Sequence, residues 1–73
     1  MVIINAKNLN VLASTIKTRR KSLAMTQEQL SEKSEVSQSM LAQIESGKRL
    51  PGLIMMVNVL SALDMVLKVE IGK

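Results

Sequence analysis

The sequence predicts a single domain, mainly all-α, closed by one short β-strand, and three observations predict it. Apolar residues recur at helical spacing from Ala6 to Leu23, and again inside 26–47 and 53–63. Helix start and stop signals punctuate those stretches at Thr26, Ser37 and Gly47. From Met65 to Ile71 the pattern changes to strict alternation, the period of a half-buried strand. With 73 residues there is room for one core, so 1–73 is read as one domain and dimerisation is expected.

The first helix spans Ala6 to Leu23. Leu9, Leu12, Ile16 and Leu23 form its apolar stripe, and the gap in that stripe is filled by Arg20, an arginine in a core-facing position. Met25-Thr26-Gln27-Glu28-Gln29-Leu30 then reads as a helix start. Thr26 is the N-cap, Gln29 completes a capping box, and Met25 with Leu30 makes a hydrophobic staple. This second helix runs to about Ser34, with the small inward residues Ser31 and Ser34 allowing close approach of another helix. Glu35 falls in the connection, Val36 is buried, and Ser37 N-caps a third helix.

On the third helix Met40, Leu41, Ile44 and Glu45 share one arc, while Gln38, Ser39, Ala42, Gln43 and Ser46 share the other. The second arc should face outward, yet it carries no charge. The helix stops at Gly47, and Lys48-Arg49-Leu50-Pro51-Gly52 makes a basic turn, with Pro51 in the loop or opening the next helix. Leu53 to Leu63 is apolar nearly all round. Leu53, Met56, Val57, Leu60 and Leu63 are assigned to the core, leaving Ile54, Met55 and Val59 for a subunit interface. In the strand, Met65, Leu67, Val69 and Ile71 alternate with Lys68 and Glu70; it pairs with Val2-Ile3-Ile4, with its symmetry mate, or with both.

Composition narrows function. There is no cysteine and no histidine, which excludes a disulfide framework and a thiolate zinc site and removes the commonest general base. No nucleophile with a positioned base, metal cluster or phosphate loop can be assembled, so neither an enzyme nor a cofactor is expected. The core must be aliphatic and methionine-rich, because 47% of the residues are hydrophobic and none is aromatic. Ten Lys and Arg against six Asp and Glu give +4, and Lys17, Arg19, Arg20 and Lys21 sit together. That balance suits nucleic acid or an anionic surface, and equally an ordinary solvated face. MVIIN lacks a signal-peptide pattern, and Leu53 to Leu67 is interrupted by Asn58 and Asp64, short of a membrane span; a cytoplasmic, nucleoid-associated location is expected.

Two short helices joined by a tight turn, the second presenting an amide face, form a helix-turn-helix pattern. Residues 26–51, TQEQLSEKSEVSQSMLAQIESGKRLP, resemble the Xre family of phage-repressor-like DNA-binding domains, matching its consensus at Gln27, Leu30, Val36, Ser37, Ile44, Glu45, Gly47, Lys48 and Pro51. The resemblance implies a lambda-repressor-like bundle of four to five helices. It departs in the turn, where many relatives carry Gly and this chain has Glu35. Either the turn differs locally or Glu35 takes positive φ at a cost of about 1 kcal/mol.

Residue by residue, the resemblance implies a buried ion pair between Arg20 and Glu45, both on inward arcs by periodicity. Gln38, Ser39 and Gln43 fall on base-reading positions. A Gln side chain offers a donor and an acceptor together, matching the N6/N7 edge of adenine, and a Ser hydroxyl bonds to several bases. Gln27 and Ser37, at helix starts, and Lys48, Arg49, Lys17 and Arg19 are the candidate phosphate contacts.

The chain ends, with helix 53–63 running into strand 65–71, resemble the HipB-like branch: antitoxins that dimerise, bind operator palindromes and sequester a HipA-type kinase toxin. There the C-terminal strands pair across the dimer axis, and a flexible tail can follow; here the chain stops two residues after Ile71, which leaves a tail-mediated toxin contact unsupported. A homodimeric repressor of this kind is the leading expectation. A stand-alone phage-type or housekeeping regulator, and a protein-interaction module with a vestigial helix-turn-helix, remain the alternatives.

Overall fold

In a computed structural model, which describes residues 2–4 and 11–69, aliphatic side chains from four helices meet in one core. The helices are α1 (Val11–Ser22), α2 (Gln27–Ser34), α3 (Gln38–Glu45) and α4 (Leu53–Ala62), flanked by strands β1 (Val2–Ile4) and β2 (Leu67–Val69). The expected start of the first helix at Ala6, with Leu9, and the strand positions Glu70 and Ile71 lie outside the described residues.

Local chemistry accounts for most boundaries. Thr26 Oγ1 accepts the Gln29 N–H at 3.0 Å while Gln29 Oε1 accepts the Thr26 N–H at 2.8 Å, a reciprocal capping box. Ser37 Oγ accepts the Met40 N–H at 3.1 Å and starts α3. Each helix ends on a left-handed residue: Ala24 (φ 54), Glu35 (φ 62), Gly47 (φ 78) and Asp64 (φ 56). The N–H groups of Met25, Lys48 and Met65 donate back to the carbonyls of Arg20, Gln43 and Leu60, the six-to-one bond of a Schellman ending; α2 closes more simply, with the Glu35 N–H on the Ser31 carbonyl at 2.9 Å. Only one of these four positions is glycine.

An L side chain in the left-handed region costs about 1–2 kcal/mol, partly offset in a glycine replacement by roughly 0.4–1 kcal/mol of extra unfolded-chain entropy. Glu35→Gly is therefore expected to stabilise the domain by about 0.5–1 kcal/mol, raising the melting temperature by roughly 2–8 °C. Thermal unfolding measures it, and a lower melting temperature would mean that the Glu35 side chain contributes more than its backbone strain removes.

The α2–α3 turn is held from inside. Buried Ser34 donates its hydroxyl to the Leu30 carbonyl at 2.7 Å and accepts the Val36 N–H at 3.3 Å, so the small residue satisfies a buried amide of the turn. Val36 then inserts into the core formed by Leu12, Ile16, Leu30, Leu41, Ile44, Met56, Val59, Leu60, Ala62 and Leu63. Half-buried Met25, Met40, Met55 and Met65 pack around it, as flexible side chains that fill irregular gaps.

Four assignments in the helical segments are corrected. Leu23 is exposed on the last turn, just past Ser22, where the left-handed Ala24 ends α1. Val59, expected at a subunit interface, is completely buried, whereas Leu53 and Val57, expected in the core, are 64% and 43% exposed. The helix is apolar nearly all round, so its periodicity has little contrast, and packing of α4 against α2 sets the rotation instead.

Strand β2 pairs in parallel with β1, in the register Val2 to Leu67, Ile3 to Lys68 and Ile4 to Val69. Met65, expected as the first residue of the strand and, through strand pairing, at the dimer interface, precedes the strand and packs against the core. Pro51 is a buried loop residue, and Gly52 is the N-cap of α4.

Candidate nucleic-acid interface

The candidate surface is one side of an eight-residue helix whose other side is pinned down. Leu41, Ile44 and Glu45 of α3 are buried; Gln38, Ser39, Ala42 and Ser46 are exposed and Gln43 is half-buried. The exposed arc offers amides and hydroxyls with no formal charge. Such groups form directional hydrogen bonds to base edges in a groove that admits a helix, and no carboxylate is present on the arc to repel phosphate.

Glu45 anchors the arc from beneath. Arg20 Nε donates to Glu45 Oε2 at 2.7 Å and Nη2 to Oε1 at 2.9 Å, a two-pronged contact between a 9% exposed arginine and an 8% exposed glutamate. The remaining Arg20 amino group donates to the Met25 carbonyl at 2.8 Å, tying the α1 ending into the same cluster. Hydrogen bonding to Glu45 raises the guanidinium above its ordinary pKa, outweighing burial, which alone would lower it; the pair stays ionic on the arginine side at any physiological pH. Among the described residues no buried side-chain nitrogen or oxygen lacks a partner.

Gln27, the first residue of α2, is half-buried and donates its Nε2 to Glu45 Oε1 at 3.3 Å. It lines an open groove between the end of α1 and the starts of α2 and α3, together with Lys21, Thr26, Glu28 and Gln38. The free N–H groups of the α2 start and the Lys21 ammonium favour an anion there, while Glu28 is the one acidic side chain on its wall.

The two α1 residues assigned to phosphate part company. Lys17 is exposed and lies one turn before Lys21, on the same face. Arg19 is on roughly the opposite side of the helix and donates its Nε to the Leu63 carbonyl at 3.0 Å, capping the end of α4. Arg19 thus has a structural contact at the end of α4, made through its Nε. Lys21, absent from the residues expected to contact phosphate, lines the groove beside Gln27; its signal in the sequence is its position four residues after Lys17, leading into the α2 start.

On the other flank Lys48 and Arg49 are exposed in the turn after α3, and their backbone N–H groups donate to the Gln43 carbonyl at 3.0 and 3.2 Å. Ser37 is exposed, its oxygen engaged at the Met40 N–H. The uncharged arc of α3 thus shares a groove with Lys21 at its start, through Gln38, and is followed in the chain by Lys48 and Arg49.

A family model described as helix-turn-helix matches residues 16–67, well over half of the chain and the whole of this interface. Comparison with curated proteins and with solved structures finds no match.

Proposed function

Since the chain belongs to the Xre-like helix-turn-helix family of DNA-binding transcription regulators, we propose that it represses transcription by reading a palindromic operator as a homodimer. The observation that carries this reading is the charge-free α3 arc flanked by basic groups: cations along the phosphates place the helix, and amides inside the major groove discriminate. Gln38, Ser39 and Gln43 read base edges; Gln27, Ser37, Lys48, Arg49, Lys17 and Lys21 hold phosphates.

Homodimerisation is supported by the outward face of α4. Leu53, Ile54 and Val57 are exposed side by side, with Leu50 nearby and Asn58 and Ser61 as the polar members, and no charge interrupts them. Met55 borders this face half-buried. Among the described residues β2 pairs on one edge only, with β1, so its other edge is available to a symmetry mate. Two recognition helices related by a two-fold axis enter successive major grooves about 34 Å apart. Repression then follows from excluding polymerase at the promoter, in the nucleoid. No described helix is long and apolar enough to cross a membrane.

Selection from random duplexes tests the reading, with a palindrome as the expected product. Binding with steep salt dependence but no preferred sequence would overturn it in favour of an interaction module. Gln38→Ala and Gln43→Ala are expected to relax base preference by about 1–3 kcal/mol, whereas Lys48→Ala weakens all DNA alike and lowers the salt slope by about one. Like behaviour of all three variants would refute the division into reading and holding residues. The narrower role, as antitoxin of a HipA-like kinase toxin, rests on the HipB-like arrangement of α4 and the C-terminal strand. Co-purification of a kinase-like partner supports it; a stand-alone regulator would copurify with none.

A further inference from the structure

The position of Gln27 links the buried ion pair to the DNA-facing groove. Glu45 is held on both oxygens by Arg20, so its orientation does not depend on Gln27. Its Oε1 nevertheless accepts Gln27 Nε2 at 3.3 Å. A primary amide has two N–H donors and a carbonyl, so this contact leaves Gln27 one donor and its acceptor for an outside partner. A glutamine at a helix start otherwise retains most of its rotamer freedom and must lose it on binding.

We infer that Glu45 is a positioning residue for DNA binding: through its second acceptor it holds the Gln27 amide in the groove beside Lys21 and Gln38, ready for a backbone phosphate. This rests on the reading of Gln27 as a phosphate contact. The inner face of the recognition helix thereby orders a side chain on the neighbouring helix, and burial of a charge pair that could be replaced by apolar groups acquires a use in binding. Freed from Glu45, Gln27 would be ordered only on contact, and affinity falls about three- to tenfold, the usual cost of immobilising one long side chain.

The test separates this role from stability. Replacing a buried ion pair on both sides with apolar side chains of similar size is often neutral for folding, so R20M/E45L removes the acceptor without leaving an unpaired charge. Binding of a random-sequence duplex of about 20 base pairs is compared with and without Gln27→Ala, in wild type and in that double variant. Wild type should lose three- to tenfold on Gln27→Ala; the double variant should start that much weaker and lose less than twofold more. Equal losses in both backgrounds overturn the positioning role while keeping the phosphate contact. No loss in wild type overturns the phosphate contact itself. Should the double variant not fold, the wild-type Gln27 side-chain amide protons decide: exchange with water slower than that of an exposed glutamine is expected, and exchange at the same rate overturns the inference.

Discussion

Glu45→Ala is expected to destabilise the domain by about 3–5 kcal/mol, the range seen when one member of a buried ion pair is removed. The guanidinium of Arg20 would keep only the Met25 carbonyl as a partner and remain charged in a 9% exposed position. Against a total stability of about 5–15 kcal/mol, a loss of that size lowers the melting temperature by tens of degrees or leaves the chain unfolded at room temperature. Most of the effect is the orphaned charge rather than the worth of the pair, so R20M/E45L should recover most of it. Thermal unfolding of the two variants measures both terms. A Glu45→Ala protein melting within a few degrees of wild type would show that water reaches Arg20 and that the pair contributes little.

Ile54→Lys should leave the fold intact and abolish high-affinity operator binding. Ile54 is 78% exposed, so a lysine there stays solvated in the monomer and removes no core contact. In a dimer closed through α4 the same ammonium would be buried without a partner. Tethering two half-site binders raises overall affinity by about 10²–10⁴, and that factor should vanish for the palindrome while a single half-site is bound as before. Sedimentation and titration with the two duplexes measure it. The same substitution at Val59, fully buried, should instead unfold the protein, which distinguishes the two sides of the helix. Undiminished affinity of Ile54→Lys for the palindrome would move the dimer contact away from α4, with the open edge of β2 as the remaining place for it.

The difference between Ile54 and Val59 also marks the limit of what linear order reveals. Thr26, Gln29, Ser37 and Gly47 announced the boundaries of α2 and α3 because capping bonds act within three or four residues, and such short-range chemistry is written in the order of the chain. The α3 arc was legible for a similar reason: its alternation of apolar and amide residues has enough contrast to fix which side turns inward. Arg20 and Glu45 stood out as two charges of opposite sign on inward arcs, and the family resemblance paired them.

Contacts between residues far apart in the chain decided the rest. Arg19 and Lys17 look equivalent as neighbouring cations, and only the Leu63 carbonyl, 44 residues away, gives one of them a structural contact. Gln27 finds Glu45 across 18 residues. The rotation of α4 was open because a helix apolar nearly all round can bury almost any face; its neighbours chose Met56, Val59 and Leu60, and thereby which residues stayed outside. Residue order therefore set the helices, their ends and the outward amide face of α3 through forces that reach one helical turn. Packing, which compares all faces of all helices at once, decided which cations carry structural contacts and which apolar surface stays outside the core.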